Sequence, residues 1–230
     1  MRYQGSAFRP VDARGGQVRE VRQVGIELIG LEAPAGTVEV IELLVNALDA
    51  LGLDEAVVGL GDADLFRQLL EEMDVDEPDR DRILDRLMAH DLVAIEAEAG
   101  DLAGIGDAER AAIVTLSNLR GGAEVLDHAR SVGGDAVQRA LTRLDATYRG
   151  LEERGVAGRV QLDLGLLRDL GYYTGAILEV YDPALGHVIG GGGRYDDLIG
   201  RFGAPLPAAG FALYLERVHV AQAARRGGER

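Results

Sequence analysis

The chain has 230 residues, 24 of them basic against 39 acidic for a formal charge of −15 at pH 7, and no cysteine. That length suits one large domain or two small ones with material for a real core, and the missing cysteine excludes disulfides and thiolate metal sites. The acidic balance repels phosphate backbones at long range, so no nucleic-acid partner is expected.

Residues 1–30 read as strand, polar loop and strand. Ser6 to Arg9 ends the first strand, and Asp12 to Gln17 has loop composition. From Val18 to Gly30 the chain alternates, with Val24, Ile26 and Leu28 facing one way and Gln23, Gly25 and Glu27 the other. Gly36 to Leu51 switches to a helical period through Val40, Leu44, Ala47, Leu48 and Leu51, with Thr37 as the expected N-cap and Glu39 in the first turn. Val57 to Leu60 reads as a short strand. A helix is expected after Asp62, with Leu65, Phe66, Leu69, Leu70 and Met73 inward, and Pro78 opens another carrying Ile83, Leu84, Leu87 and Met88. Asp107 is expected to cap a further helix, Gly122 to Arg130 forms the next, and Asp135 to Arg154 carries the seam Val137, Leu141, Leu144, Tyr148 and Leu151.

After Gly155 strands return, at Arg159 to Leu164 and Gly175 to Tyr181. His187 to Ile189 is expected to pair with the latter across the turn at 182–186, and Ala209 to Leu215 is a last strand leading into a helix from Glu216 to about Arg225. Strands segregated from helices in this order predict an α+β fold with an antiparallel sheet. Arg225, Arg226 and Arg230 read as a frayed basic tail. The four histidines are scattered, so no metal site is expected. No apolar run reaches the roughly 18–20 residues that span a bilayer, and no signal-like apolar stretch follows Met1. The expected setting is therefore the cytoplasm, without a membrane partner.

Two stretches carry chemistry. Gly190, Gly191, Gly192 and Gly193 stand in a row before Arg194-Tyr195-Asp196. They match neither a P-loop nor a dinucleotide fingerprint. A bulged hairpin and a close backbone approach explain them equally well. Leu167 to Gly175 sets Arg168, Tyr172, Tyr173 and Thr174 between strands. An Arg fork can grip a carboxylate, and tyrosines can wall and hydrogen-bond a ligand. The competing reading pairs Arg168 with Asp163 or Asp169 and packs both rings.

In order, Leu167-Arg168 through Tyr172-Tyr173-Thr174-Gly175, Gly192-Gly193-Arg194-Tyr195-Asp196, and Gly210-Phe211-Ala212 through Leu215-Glu216-Arg217 resemble histidyl-tRNA synthetases and their paralogues. Phe8-Arg9 and the stretch from Arg19 to Glu27 look like class II motif 2, and Gly210 to Arg217 like motif 3. The resemblance implies a class II synthetase-like core at 1–60 and 156–230, with a helical insertion at 61–155. It implies that Gln23, Glu27, Arg168, Tyr172 and Tyr173 line a histidine pocket. It also implies that Arg9, Arg19 and Arg217 stand where synthetases hold ATP phosphates.

The pattern also departs from a synthetase. Gln17, Val18 and Arg22 replace the usual motif 2 Arg, aromatic and His, and Gly171 replaces the Asp before the Tyr pair. No anticodon-binding domain follows motif 3 in this sequence, and the segment that carries motif 1 is expected to lie before its first residue. The stretch 23–30, with 64–70 and 119–126, is most similar to the ATP phosphoribosyltransferase regulatory subunit family. That likeness implies no catalysis by this chain and no cofactor. It implies a short-form ATP phosphoribosyltransferase catalytic subunit as partner and L-histidine as ligand. The alternative is a synthetase core that activates histidine with ATP.

Overall fold

The computed structural model describes residues 1–8, 20–168 and 171–228. One eight-stranded sheet organises them. Its strands are β1 (Arg2–Phe8), β2 (Glu20–Ile29), β3 (Val57–Asp62), β4 (Arg120–Gly121), β5 (Val160–Asp163), β6 (Ala176–Tyr181), β7 (Val188–Arg194) and β8 (Ala208–Tyr214), ordered β1-β2-β8-β7-β6-β3-β5-β4. Every neighbouring pair is antiparallel except β3 and β5. The α+β expectation is borne out, with that single parallel pair added. A parallel pair needs a crossover connection, and here the helical middle of the chain supplies it.

Helix α1 (Ala35–Ala50) buries Val40, Ile41, Leu44, Val45 and Leu48 against the sheet. Its N-cap is Pro34, not the expected Thr37. The helix starts three residues earlier, so Thr37 lies in its first turn and turns inward at 2 % exposure, and Glu39 falls beyond that turn. Helices α2 (Leu65–Glu72) and α3 (Glu77–Met88) follow as the apolar spacing predicts, with Pro78 in the first turn of α3 and Asp76 accepting from the Asp79 amide at 2.9 Å. Helix α4 (Leu92–Asp101) has no counterpart in the sequence reading. Helix α5 (Asp107–Asn118) is capped by Gly106 rather than Asp107; the Glu109 carboxylate reaches back to the Gly106 amide at 2.6 Å. Helix α6 (Glu124–Val132) starts two residues later than expected. Helix α7 (Asp135–Glu153) buries Val137, Leu141, Leu144 and Leu151 as its spacing demands and packs on both α1 and α2.

The chain ends in α8 (Leu215–Gly228), where Arg225 is no frayed tail. It reaches the fully buried Asp182 carboxylate at 2.9 Å and Asp54 at 2.6 Å. Among the described residues no helix is long and apolar enough to cross a membrane.

The glycine run is regular strand. Gly190 to Gly193 lie inside β7, bonded to β6 on one side and β8 on the other, and the register shift falls between Val180 and Tyr181, at the turn end of the hairpin just before Gly190. A Cβ on Gly192 would overlap the Gly210 carbonyl oxygen and sit 2.7 Å from the Phe211 Cα. Close approach of backbone to backbone is therefore what this position requires.

Candidate functional site

Residues directly opposed across a sheet point to the same face. Reading the register across six adjacent strands gives one rung, Tyr3, Gly25, Ala212, Gly191, Glu179 and Gly59. The next holds Glu27, Gly210 and Gly193. The centre of this face thus carries almost no side-chain bulk. Large polar residues stand around it, and a cavity of about 280 Å³ sits above it.

Five expected ligand residues, Gln23, Glu27, Arg168, Tyr172 and Tyr173, all line this one cavity, with Gly191 and Gly192 in its floor. Alternation in β2 puts Gln23 and Glu27 on the same face. Gly25 between them leaves room for the Tyr3 ring, whose hydroxyl accepts from Gln23 Nε2 at 3.1 Å. Arg168 lies flat over Gly191, where a Cβ would overlap its guanidinium. Its Nη1 donates to Glu179 Oε1 at 3.0 Å and its Nη2 to the Tyr214 hydroxyl at 3.1 Å. Both members of the Arg168–Glu179 pair are about 10 % exposed. Of the two expected partners, Asp163 instead faces Arg120 at 3.5 Å, and Asp169 lies outside the described residues. Tyr172 packs on Tyr173 with centroids 4.7 Å apart and meets the Tyr195 ring edge-on at 5.9 Å.

The Tyr195 hydroxyl donates to Glu27. Burial raises the Glu27 pKa, and that hydrogen bond works the other way. Burial also raises Tyr3, to about 12, with the Glu27 charge adding to it. Tyr173 is raised by burial and by Tyr172, and Tyr195 by burial and its bond to Glu27. All three therefore remain neutral hydroxyls near pH 7, able to donate or accept. One wall offers a guanidinium, the opposite wall a carboxylate, and the space between is lined by aromatic rings and neutral hydroxyls. This arrangement is chemically suited to a zwitterion with a flat polar side chain.

Other expected positions fall elsewhere. Arg9 and Arg19 lie outside the described residues. Arg217 is in the first turn of α8, donating to the Val188 carbonyl with its guanidinium 5.2 Å from the Tyr214 ring centroid, and it does not line the cavity. Gly190 faces Leu213 on the opposite side of the sheet, and Gly193 lies under the Tyr173 ring. Sequence reasoning missed Tyr3, Tyr195 and Tyr214 as wall residues and Glu179 behind Arg168. A carboxylate inside the otherwise apolar stretch Ala176 to Val180 was the available signal for Glu179.

The family model described as histidyl-tRNA synthetase matches residues 1–218, and the chain belongs to that family. A curated relative, the ATP phosphoribosyltransferase regulatory subunit of Moorella thermoacetica, is 38 % identical over 221 residues, covering 96 % of this chain and 57 % of the relative. The protein of the same name from Symbiobacterium thermophilum is 39 % identical, with 96 % and 55 % covered. Among solved structures, an ATP phosphoribosyltransferase regulatory subunit/histidyl-tRNA synthetase from Bacillus halodurans superposes with a TM-score of 0.84 at 31 % identity, over 97 % of this chain and 57 % of that one. The chain thus spans a little over half the length of the relatives it matches.

Proposed function

We propose that this chain is the histidine-sensing core of an ATP phosphoribosyltransferase regulatory subunit, non-catalytic itself and acting in the cytoplasm on a short-form catalytic subunit. The observation that carries the reading is the convergence of Gln23 and Glu27 from β2 with Arg168, Tyr172 and Tyr173 from the segment before β6 on one cavity. Histidine presents a carboxylate, an ammonium and two ring nitrogens. The cavity presents Arg168 for the carboxylate, Glu27 for the ammonium, and neutral tyrosine hydroxyls with the Gln23 amide for the ring nitrogens. The relatives' names, ATP phosphoribosyltransferase regulatory subunit, support this choice of partner. In this reading 1–60 and 156–230 form the ligand-binding core, and 61–155 is an inserted helical unit. Histidine would bias the assembly through a coupling free energy of about 1–3 kcal/mol.

The test is calorimetric titration of the chain with L-histidine. Arg168→Ala is expected to weaken binding at least about tenfold, or about 1.4 kcal/mol, and unchanged affinity would leave Arg168 a structural residue. Membership of the synthetase family favours one second reading, activation of histidine with ATP. ATP–pyrophosphate exchange dependent on histidine would establish that reading and overturn the first.

A further inference from the structure

On the opposite face of the sheet, where α1 and α7 pack, a second cavity of about 270 Å³ opens between the start of α1, the middle of α7 and the end of β7. Two buried polar atoms in its wall, Arg194 Nη1 and Thr37 Oγ1, have no hydrogen-bond partner among the described residues. Both residues are only 2 % exposed. A buried donor left without a partner is destabilising, so two in one cavity point to something that binds there.

The hydrogen bonds around them define its chemistry. Asp62 accepts from Arg143 Nε at 2.8 Å, from Arg143 Nη2 at 2.7 Å and from the Asp64 amide at 3.0 Å. Asp196 accepts from Arg194 Nε at 2.7 Å and from the Ala208 amide at 3.0 Å. The carboxylates of the cavity are therefore already engaged, and what is left over are donors. The two Arg–Asp pairs cancel in charge. Helix α1, 16 residues long, starts here with no side-chain cap and no acidic residue in its first turn, so its positive end is uncompensated. Glu32 is 81 % exposed, so water screens it, and Asp64, whose pKa is raised by burial, stands 3.9 Å from Arg143 Nη2. The remaining wall combines Pro34, Leu144 and Ala176 with Thr142, Thr147 and Thr174, whose hydroxyls bond to the Gln138 carbonyl, the Arg143 carbonyl and the Asp196 amide.

We propose that this cleft is a second small-molecule site that takes a short-chain carboxylic acid. Its carboxylate oxygens accept from Arg194 Nη1 and Thr37 Oγ1, and its carbon chain lies along Pro34 and Leu144. The site shares no residue with the cavity over Gly191, so it stands or falls independently of the histidine reading.

The test follows amide and arginine side-chain NMR signals while the chain is titrated with butyrate and isovalerate, with isovaleramide as the uncharged counterpart. The carboxylates are expected to shift the signals of Thr37 and Arg194 saturably, the amide much less, and Arg168→Ala to leave this binding unchanged. Thr37→Val is expected to weaken binding about tenfold, the worth of one charge-assisted hydrogen bond. Thr37→Asp places an acceptor inside the protein and is expected to abolish binding while raising the melting temperature. Unmoved signals would overturn the proposal. So would equal binding of the amide, or a crystal soaked in isovalerate with only water between Arg194 and Thr37.

Discussion

Replacing Glu179 with Gln keeps the size of the side chain and removes the charge that faces Arg168 on one oxygen and accepts from the Tyr181 hydroxyl on the other. At 3.0 Å and an effective dielectric of about 20, the gross attraction is about 5.5 kcal/mol. The variant also escapes the desolvation of a carboxylate that is only 10 % exposed. Breaking a buried pair from one side generally destabilises by about 3–5 kcal/mol. The carbonyl of the substituted amide can still accept from Arg168, so the expected loss is lower, about 2–3 kcal/mol. For a chain of this size each kcal/mol moves the midpoint by about 2–4 °C, so the melting temperature should fall by about 4–12 °C. Circular dichroism on heating measures it. Adding Arg168→Gln to both backgrounds closes a double-mutant cycle, in which Arg168→Gln should destabilise much less once the Glu179 charge is gone. A melting temperature unchanged by Glu179→Gln, with additive single changes, would refute the claim that this pair positions Arg168.

Gly192→Ala should destabilise by about 3 kcal/mol or more, since backbone atoms of β8 lie where the new methyl must go; a urea melt checks it, with Gly158→Ala, where a Cβ meets nothing within 4 Å, as the mild control. Glu27 has a raised pKa in the folded state, so between its unfolded value of about 4.3 and the folded one the native protein holds the extra proton. Stability from this group is therefore lost as pH rises through that window. The stability of Glu27→Gln relative to wild type should climb from pH 4 to pH 7, and a flat difference in urea melts would contradict the buried-carboxylate assignment. Asp62→Asn weakens the two-pronged contact with Arg143, whose side chain is 39 % exposed, so solvent screening holds the expected loss to about 1–2 kcal/mol in the same melt.

Long helices were legible because a 3.6-residue apolar stripe is a strong local signal, as in α7 with Val137, Leu141, Leu144 and Leu151. Strand β4, two residues long, has too little sequence to show any period. The start of α1 was misplaced because Thr37 has the chemistry of a cap. The helix instead begins at a proline, and the Thr37 hydroxyl is aimed into a cavity. Gly190 to Gly193 could not reveal a central strand, since a run without side chains has no alternation to read. At the site, Gln23 and Glu27 were placed on one face by strand alternation alone. The Tyr pair and Arg168 owed their assignment to family resemblance. Tyr3 and Tyr214 reach the cavity, and Glu179 its place behind Arg168, through the register of distant strands, which no local window contains.

The floor formed by Gly25, Ala212 and Gly191 makes the cavity a space left by subtraction. Its depth is encoded by side chains that this chain omits. Alanine scanning, which locates most binding sites by deletion, would work in reverse here: at Gly25, Gly191 and Gly210 it adds a methyl where ring, guanidinium or carboxylate atoms already stand. The floor would register in such a scan as blockage rather than lost contact. A single added carbon atom there narrows the space only by displacing the ring, guanidinium or carboxylate that recognises the ligand.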